Sequence, residues 1–368
     1  MQNAESSFVG VDLFAGAGGM SLGAQMAGVY VALAIECDKH TAATYSFNHP
    51  DTTLVVDNIK NVNTINVSQK DKVSILFGGP PCQGFSTSNQ RTRNRKNPTN
   101  WLFEEFIRIV HLWKPDWIVF ENVKGIVETE NGLFLNSVIG NLLTAGYSCN
   151  NGVLCASDFG VPQIRSRFFI IASRNGFKLE MPKATSRHPV TVRQALADLP
   201  ILSNGASKCT SKYARVARSK YAREMRDDKT ECTGNLVTKS ADYIIERYKQ
   251  IPQGGNWKNI SEDLMANYTD RTRCHTGIYR RLSADKPSVV LGNYRKNMVV
   301  HPWENRGLSV REAARLQSFP DWYEFRGSIG FQQQQVGNAV PPLLAKSVFE
   351  AIVKFSASNN QKSMLNNK

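Results

Sequence analysis

A thiol on a stiff support is the first chemistry the sequence offers. Cys82 stands in Gly78-Gly79-Pro80-Pro81-Cys82-Gln83-Gly84-Phe85-Ser86, directly after the apolar run 73–77. That run predicts a buried parallel strand. The two glycines let the backbone turn sharply or approach a ligand closely. The two prolines fix φ and remove two amide donors, so the thiol is held on a rigid loop. A cysteine met in isolation is most often a small buried hydrophobe. The prolines and the polar Gln83 and Ser86 place this one on an accessible loop, where it becomes a candidate nucleophile. Glu121 follows a second apolar run, 117–120, and opens Glu121-Asn122-Val123. A carboxyl at the end of a strand neighbouring the thiol's strand could serve as a general acid. Arg165 and Arg167 are two apart in the predicted strand 163–173, hence on one face. Guanidinium groups in a buried strand need anionic or carbonyl partners, and Glu121 is one acid that would suit.

The elements that must position these residues read as an α/β pattern. Residues 8–14 predict a first strand running into Ala15-Gly16-Ala17-Gly18-Gly19 and then a helix over 20–27. Strand, glycine turn and helix form a nucleotide-type binding unit. Its spacing departs from the dinucleotide fingerprint, because Ser21 stands where the third glycine would be, which favours S-adenosylmethionine over NAD. Residues 29–35 predict a second strand ending in Glu36, whose two oxygens could accept both ribose hydroxyls. Leu54 to Val56 leads into Asp57-Asn58. All of this chemistry is expected beyond the carboxyl ends of strands, where an open α/β sheet binds its ligands.

Residues 87–100 carry Arg91, Arg93, Arg95 and Lys96 and almost nothing apolar, the composition of a mobile basic loop suited to closing over phosphates. From about Ser186 the character changes. Thr191 to Gln194 and Ser309 to Glu312 read as capping boxes. Lys208, Lys212, Arg215, Arg218, Lys220, Arg223 and Arg226 crowd a segment interleaved with Tyr213 and Tyr221. Residues 335–344 are expected to open a helix that returns to the first sheet. The last dozen residues, rich in Asn, Ser and Lys, predict no structure.

The chain of 368 residues has room for one large or two moderate domains. Its net charge of +14 points to an anionic partner, nucleic acid first. The seven cysteines show no CxxC spacing, which argues against a disulfide framework or a zinc cluster and for a reducing compartment. No stretch resembles a signal peptide or a membrane span. A cytoplasmic, nucleoid-associated protein is expected.

Gly-Gly-Pro-Pro-Cys-Gln-Gly-Phe-Ser, Asp-Leu-Phe-Ala-Gly-Ala-Gly-Gly, Glu-Asn-Val and Gln-Val-Gly-Asn-Ala-Val resemble, in order, motifs of the DNA cytosine-5 methyltransferases. The resemblance runs from about Val9 to Ala345 and is interrupted only in the middle. It implies a mostly parallel, Rossmann-like methyltransferase sheet over 1–185 together with 328–368, and a smaller target-recognition domain over 186–327. Cys82 would attack carbon 6 of a cytosine flipped from duplex DNA, and Glu121 would assist at ring nitrogen 3. Arg165 would hold Glu121, and Arg167 would reach the base carbonyl. S-adenosylmethionine would be bound by Phe14, Ala15, Gly16, Gly18, Gly19, Glu36, Cys37, Asp57, Asn58, Pro80, Leu102, Asn338 and Ala339. Asp57 would accept from the adenine amino group; the family often has Gly-Asp-Ile where this chain has Val-Asp-Asn-Ile, which leaves the role of Asn58 open. Gln83, Ser86, Arg91, Arg93, Arg95 and Lys96 would contact DNA, and no metal is needed. Segments 251–257 and 279–294 resemble those flanking the base-reading loops. The tRNA-methylating branch typically carries a Cys-Phe-Thr segment that is not found here. A repressor that kept the fold without catalysis is a rival from another class, and the intact Cys82 and Glu121 argue against it. A monomer is expected; whether a restriction endonuclease of the same system accompanies it is left open by the sequence. The DNA site, the cytosine methylated and the final proton acceptor at carbon 5 are not encoded in any motif.

Overall fold

One sheet is built of seven strands, most of them apolar runs: β1 Phe8–Leu13, β2 Tyr30–Ile35, β3 Thr53–Val55, β4 Val73–Gly78, β5 Trp117–Val123, β6 Ser148–Cys155 and β7 Ser166–Ser173. The computed structural model describes residues 6–81, 101–266, 268, 277–292, 294 and 299–366, with side chains described as far as 359. The strand order is β3-β2-β1-β4-β5-β7-β6. The first five strands pair in parallel, and β7 runs antiparallel to both β5 and β6. The expected mostly parallel α/β sheet is present.

The helices are α1 Gly19–Met26, α2 Lys39–Asn48, α3 Phe103–Trp113, α4 Leu133–Thr144, α5 Val192–Leu196, α6 Lys220–Arg226, α7 Asp242–Lys249, α8 Val310–Leu316, α9 Ile329–Asn338 and α10 Pro342–Asn366. Side chains alternate across the sheet, so each strand feeds two layers. Leu76, Ile118 and Phe120 join Phe106 and Val110 of α3 and Phe134 and Val138 of α4 in one apolar cluster. Phe77 and Trp117 turn the other way and meet Phe349 and Phe355 of α10 edge-on. A Cβ on Gly23 would lie 2.5 Å from Ala345 Cβ, so α1 and α10 pack at backbone distance. The stretch from α9 into α10 is apolar enough by composition to cross a bilayer. Leu344, Ala345, Val348, Phe349 and Ile352 are fully buried within the protein instead.

Two expectations are corrected at the carboxyl end. Gln335 to Asn338 closes α9 rather than opening a helix, because Pro341 and Pro342 lack the amides that would continue it. Pro342 then starts α10, a position that proline favours. That helix runs through the expected unstructured tail to Asn366.

The chain divides into two compact units. One comprises residues 1–159, 166–185 and 342–368; the other comprises 160–165 and 186–341. Residues 328–341, expected with the sheet, therefore group with the second unit, where α9 lies beside α8. Both predicted capping boxes form, at Thr191 and Ser309. Buried arginines organise this unit. Arg315 donates to Asp198 and Asp321, and Arg306 grips Glu312 bidentately. Although burial works to raise it, Glu312 is held at about 2 by the Arg306 charge.

Candidate active site

The carboxyl ends of β1, β2, β3 and β4 carry the site residues of the first unit. At the end of β1, Phe14 takes a left-handed backbone with φ 59°, rare for an aromatic residue and costing ~1–3 kcal/mol, the kind of strain found at ligand clamps. Gly16 and Gly18 follow with φ 57° and 84°, and Ala15 N–H donates to the Ile35 carbonyl at 3.0 Å. Gly18 caps α1, which begins at Gly19. Glu36, the first residue past β2, accepts from Gly16 N–H through Oε2 and from Asp38 N–H through Oε1, each at 2.8 Å. A carboxylate oxygen has two lone pairs, so each retains acceptor capacity for a diol. Cys37 is exposed beside it, and partial burial followed by the Glu36 charge raises its thiol pKa.

Asp57 lies two residues beyond β3. Its Oδ1 accepts from Asn58 N–H at 2.6 Å and from Asn61 Nδ2 at 2.8 Å. Asn58 caps a short 3-10 turn by accepting from Lys60 N–H at 3.1 Å. Its side chain is thus committed to local backbone. Leu102 caps α3 and packs on the apolar cluster behind the sheet.

The loop after β4 is built by close approach. A Cβ on Gly78 would lie 2.0 Å from the Leu13 carbonyl oxygen, and one on Gly79 would lie 2.4 Å from Glu121 Oε2. Only glycine admits both contacts. Pro80 is buried, and Asn122 Nδ2 donates to its carbonyl at 3.4 Å. Glu121 is nearly buried and receives Arg167 Nε at 2.9 Å on Oε1. The carboxylate is therefore held between the guanidinium and the backbone leading to the thiol. Cys82, Gln83, Ser86, Arg91, Arg93, Arg95 and Lys96 lie outside the described residues.

Two expectations change here. Glu121 lies inside β5, not beyond it: pairing with β4 stops at Gly78 and Phe120, whereas pairing with β7 continues to Val123 and Arg167. The arginine strand starts at Ser166, not Gln163. Arg167, to which the resemblance assigned the base carbonyl, also forms an ion pair with Glu121. Arg165 belongs to the second unit, where Nη2 donates to the carbonyls of Gly337 at 2.9 Å and Ala339 at 3.2 Å. These carbonyls flank Asn338, so Arg165 shapes the turn that carries Asn338 and Ala339.

Sequence reasoning missed a support under the glycine turn. Asp12 is buried in β1 and accepts from Ser21 Oγ at 2.6 Å, and that hydroxyl also meets Tyr45 OH at 2.7 Å. Burial, with a contribution from the Glu36 charge, raises Asp12 to about 8 against the Ser21 hydrogen bond. His49 of the same layer is buried, stacks on Tyr45 and hydrogen-bonds the Gly18 backbone; burial lowers it to about 4. The signal was an acid inside an apolar strand. Tyr213 and Tyr221 also read differently in three dimensions. Tyr213 OH donates to Asp321 at 2.5 Å, and Tyr221 OH donates to the Arg315 carbonyl. Both rings serve the buried arginine network, while Lys208, Lys212, Arg215, Arg218, Lys220 and Arg223 are exposed.

A Rossmann-like sheet, a glycine turn answered by an acid on the next strand, and a Gly-Gly-Pro-Pro loop against a buried glutamate together define a group-transfer enzyme of the methyltransferase class. Residues 8–354 match the family model for C-5 cytosine-specific DNA methylases, and the chain belongs to that family. The type II methyltransferase M1.HphI of Haemophilus parahaemolyticus is 35% identical, covering 95% of this chain and 87% of that protein. M.DdeI of Desulfomicrobium norvegicum is 34% identical, over 93% and 88%. Among solved structures, a prophage-encoded E. coli protein described as a DNA modification methyltransferase superposes with a TM-score of 0.76. It is 26% identical, with 94% of this chain and 99% of that one covered. The chain is accordingly an enzyme that methylates carbon 5 of cytosine in DNA.

Proposed function

We propose that this enzyme transfers a methyl group from S-adenosylmethionine to a cytosine flipped out of a specific duplex site, through a covalent adduct on Cys82. The observation that carries the reading is the close approach of Glu121 to Gly79, three residues before the thiol, where a Cβ would lie 2.4 Å from Oε2. The Cys82 thiolate adds to carbon 6, while Glu121, steadied by Arg167, assists at ring nitrogen 3. Carbon 5 thereby becomes nucleophilic. After methylation, loss of the proton from carbon 5 eliminates the cysteine.

The residues at the strand ends fit the methyl donor, which when bound supplies an electrophilic methyl group. Glu36 has acceptor capacity left for the ribose hydroxyls, Phe14 offers an aromatic face beside the glycine turn, and Asp57 is an exposed acceptor for the adenine amino group. In the second unit Asn338 and Ala339 would border the methionine end. That unit supplies target recognition, its exposed lysines and arginines meeting phosphates. Arg91, Arg93, Arg95 and Lys96 would close over the DNA backbone. The protein would work as a monomer in the cytoplasm at the nucleoid. Its relatives' type II designation fits a paired restriction endonuclease.

The test is a mechanism-based trap. Wild-type protein incubated with duplex containing 5-fluorocytosine and the methyl donor should form a denaturation-resistant adduct, because fluorine cannot leave as the proton does. Cys82→Ser should form none and lose turnover while still binding DNA. An adduct of wild-type yield in that variant would refute the covalent reading.

A further inference from the structure

Three fully buried polar side chains meet inside the second unit, and each bonds the backbone of an element other than its own. Gln163 accepts from Leu291 N–H through Oε1 and donates through Nε2 to the Leu316 carbonyl at the end of α8, both at 3.2 Å. Arg165 holds the carbonyls of Gly337 and Ala339. Gln317 donates to the Val336 carbonyl at 2.9 Å. The chain between them is stitched to the segment around Ser288: Ile164 N–H donates to the Ser288 carbonyl at 2.8 Å, and Ser288 N–H to that of Pro162 at 2.9 Å. The end of α9 and the 291–292 backbone also touch directly. A Cβ on Gly337 would lie 1.9 Å from the Gly292 carbonyl oxygen and 2.9 Å from that of Leu291.

We propose that Gln163, Arg165, Gln317 and Gly337 are positioning residues that lock the Asn338-Ala339 turn to segment 288–292, coupling methyl-donor binding to DNA engagement. The proposal rests on the functional reading above, which puts that turn beside the donor and residues 279–294 beside the base-reading loops. Its physical content is the absence of slack. Gln163 satisfies its acceptor and its donor on two different elements, so neither can shift without losing a buried bond. The glycine contact is backbone on backbone, so a displacement at the end of α9 must move Leu291 and Gly292. Among the described residues Gln317 Oε1 is buried with no partner. A half-satisfied amide is a poor choice for stability alone, which points to the bond to Val336 as its use. Ligands at two sites are coupled when both bias one such shared element.

The experiment measures the dissociation constant of the full chain for a duplex carrying its methylated site, identified by bisulfite sequencing, with and without saturating S-adenosylhomocysteine. Wild type should bind the duplex ~10-fold more tightly with the ligand, within the usual range of coupling between sites. Gly337→Ala, whose methyl cannot fit, and Gln163→Leu should bring this factor to within about two-fold of one. Among the described residues, Gly292→Ala meets nothing nearer than Val290 Cγ1 at 4.0 Å, and it should keep the wild-type factor. If Gly337→Ala fails to fold, Gln317→Met carries the same expectation as Gln163→Leu. A wild-type factor of one, or variants that keep the wild-type factor, overturns the relay. A wild-type protein that does not bind S-adenosylhomocysteine at all overturns the functional reading and the relay with it.

Discussion

Glu121 occupies the space that a side chain on residue 79 would need: its Oε2 would lie 2.4 Å from a Cβ on Gly79. Strand β5 and the loop after β4 are thereby brought to backbone distance at the point where the thiol loop begins. Gly79→Ala should displace the carboxylate or the loop by the order of an ångström. Misplacement on that scale costs ~100-fold in turnover. DNA affinity should change little, so single-turnover methylation beside a binding isotherm is the check; wild-type turnover would show that the contact has no catalytic weight.

Arg167 keeps Glu121 in place through Nε, a donor that lysine cannot reproduce in the same fork geometry. Arg167→Lys retains the charge but not this bond. Hydrogen bonds to charged groups contribute about 1.5–3 kcal/mol, so turnover should fall roughly 10- to 150-fold with KM for the methyl donor nearly unchanged. A lowered melting temperature with unaltered turnover would make the pair purely structural.

Glu36 ties the glycine turn to the start of α2, accepting from Gly16 and Asp38. Glu36→Ala removes this tie along with the acceptors for the ribose. Calorimetric titration with S-adenosylhomocysteine should show a loss of roughly 10-fold or more, and DNA affinity without the ligand should stay the same. An unchanged dissociation constant would make Glu36 a strand-end acid serving only its own turn.

Asp12 gives a pH signature of definite sign. Folded, it keeps its proton up to about 8, chiefly because burial penalises the charge; unfolded, it releases it near the ordinary aspartate value of 3.8. Between those values the folded chain binds more protons, so the contribution of Asp12 to stability is full below about 4 and is lost as pH rises toward 8. Asp12→Asn cannot titrate yet can still accept from Ser21. Its melting temperature should therefore fall less than that of wild type between pH 5 and pH 8. Parallel curves for the two proteins would show that the carboxyl is already ionised at pH 5.

Legibility of the sequence followed the range of the interaction involved. The positions of β1, β2 and β4, the glycine turn, the acids after β2 and β3, and both capping boxes depend on neighbours a few residues apart, and periodicity and residue type encoded them. The Gly78-Gly79 turn at the end of β4 was legible for the same reason, since glycine alone admits the close approach of Leu13 and Glu121 there. Strand β6, with little apolar pattern, was not legible. Partnership across the sheet was not encoded in this way. That Arg167 reaches Glu121 depends on the register of β7 against β5, which sets Val123 opposite Arg167. Glu121 was expected past its strand because the apolar run stops at Phe120; antiparallel pairing with β7 carried the strand three residues further, to Val123. Tyr213 and Tyr221, interleaved in the basic run, find their partners far away in the chain, at Asp321 and the Arg315 carbonyl. Residue chemistry and the local backbone were legible in neighbouring residues. Tertiary structure decided which charges are paired and which polar groups are buried, because both depend on segments brought together only when the sheet and the buried arginine network close.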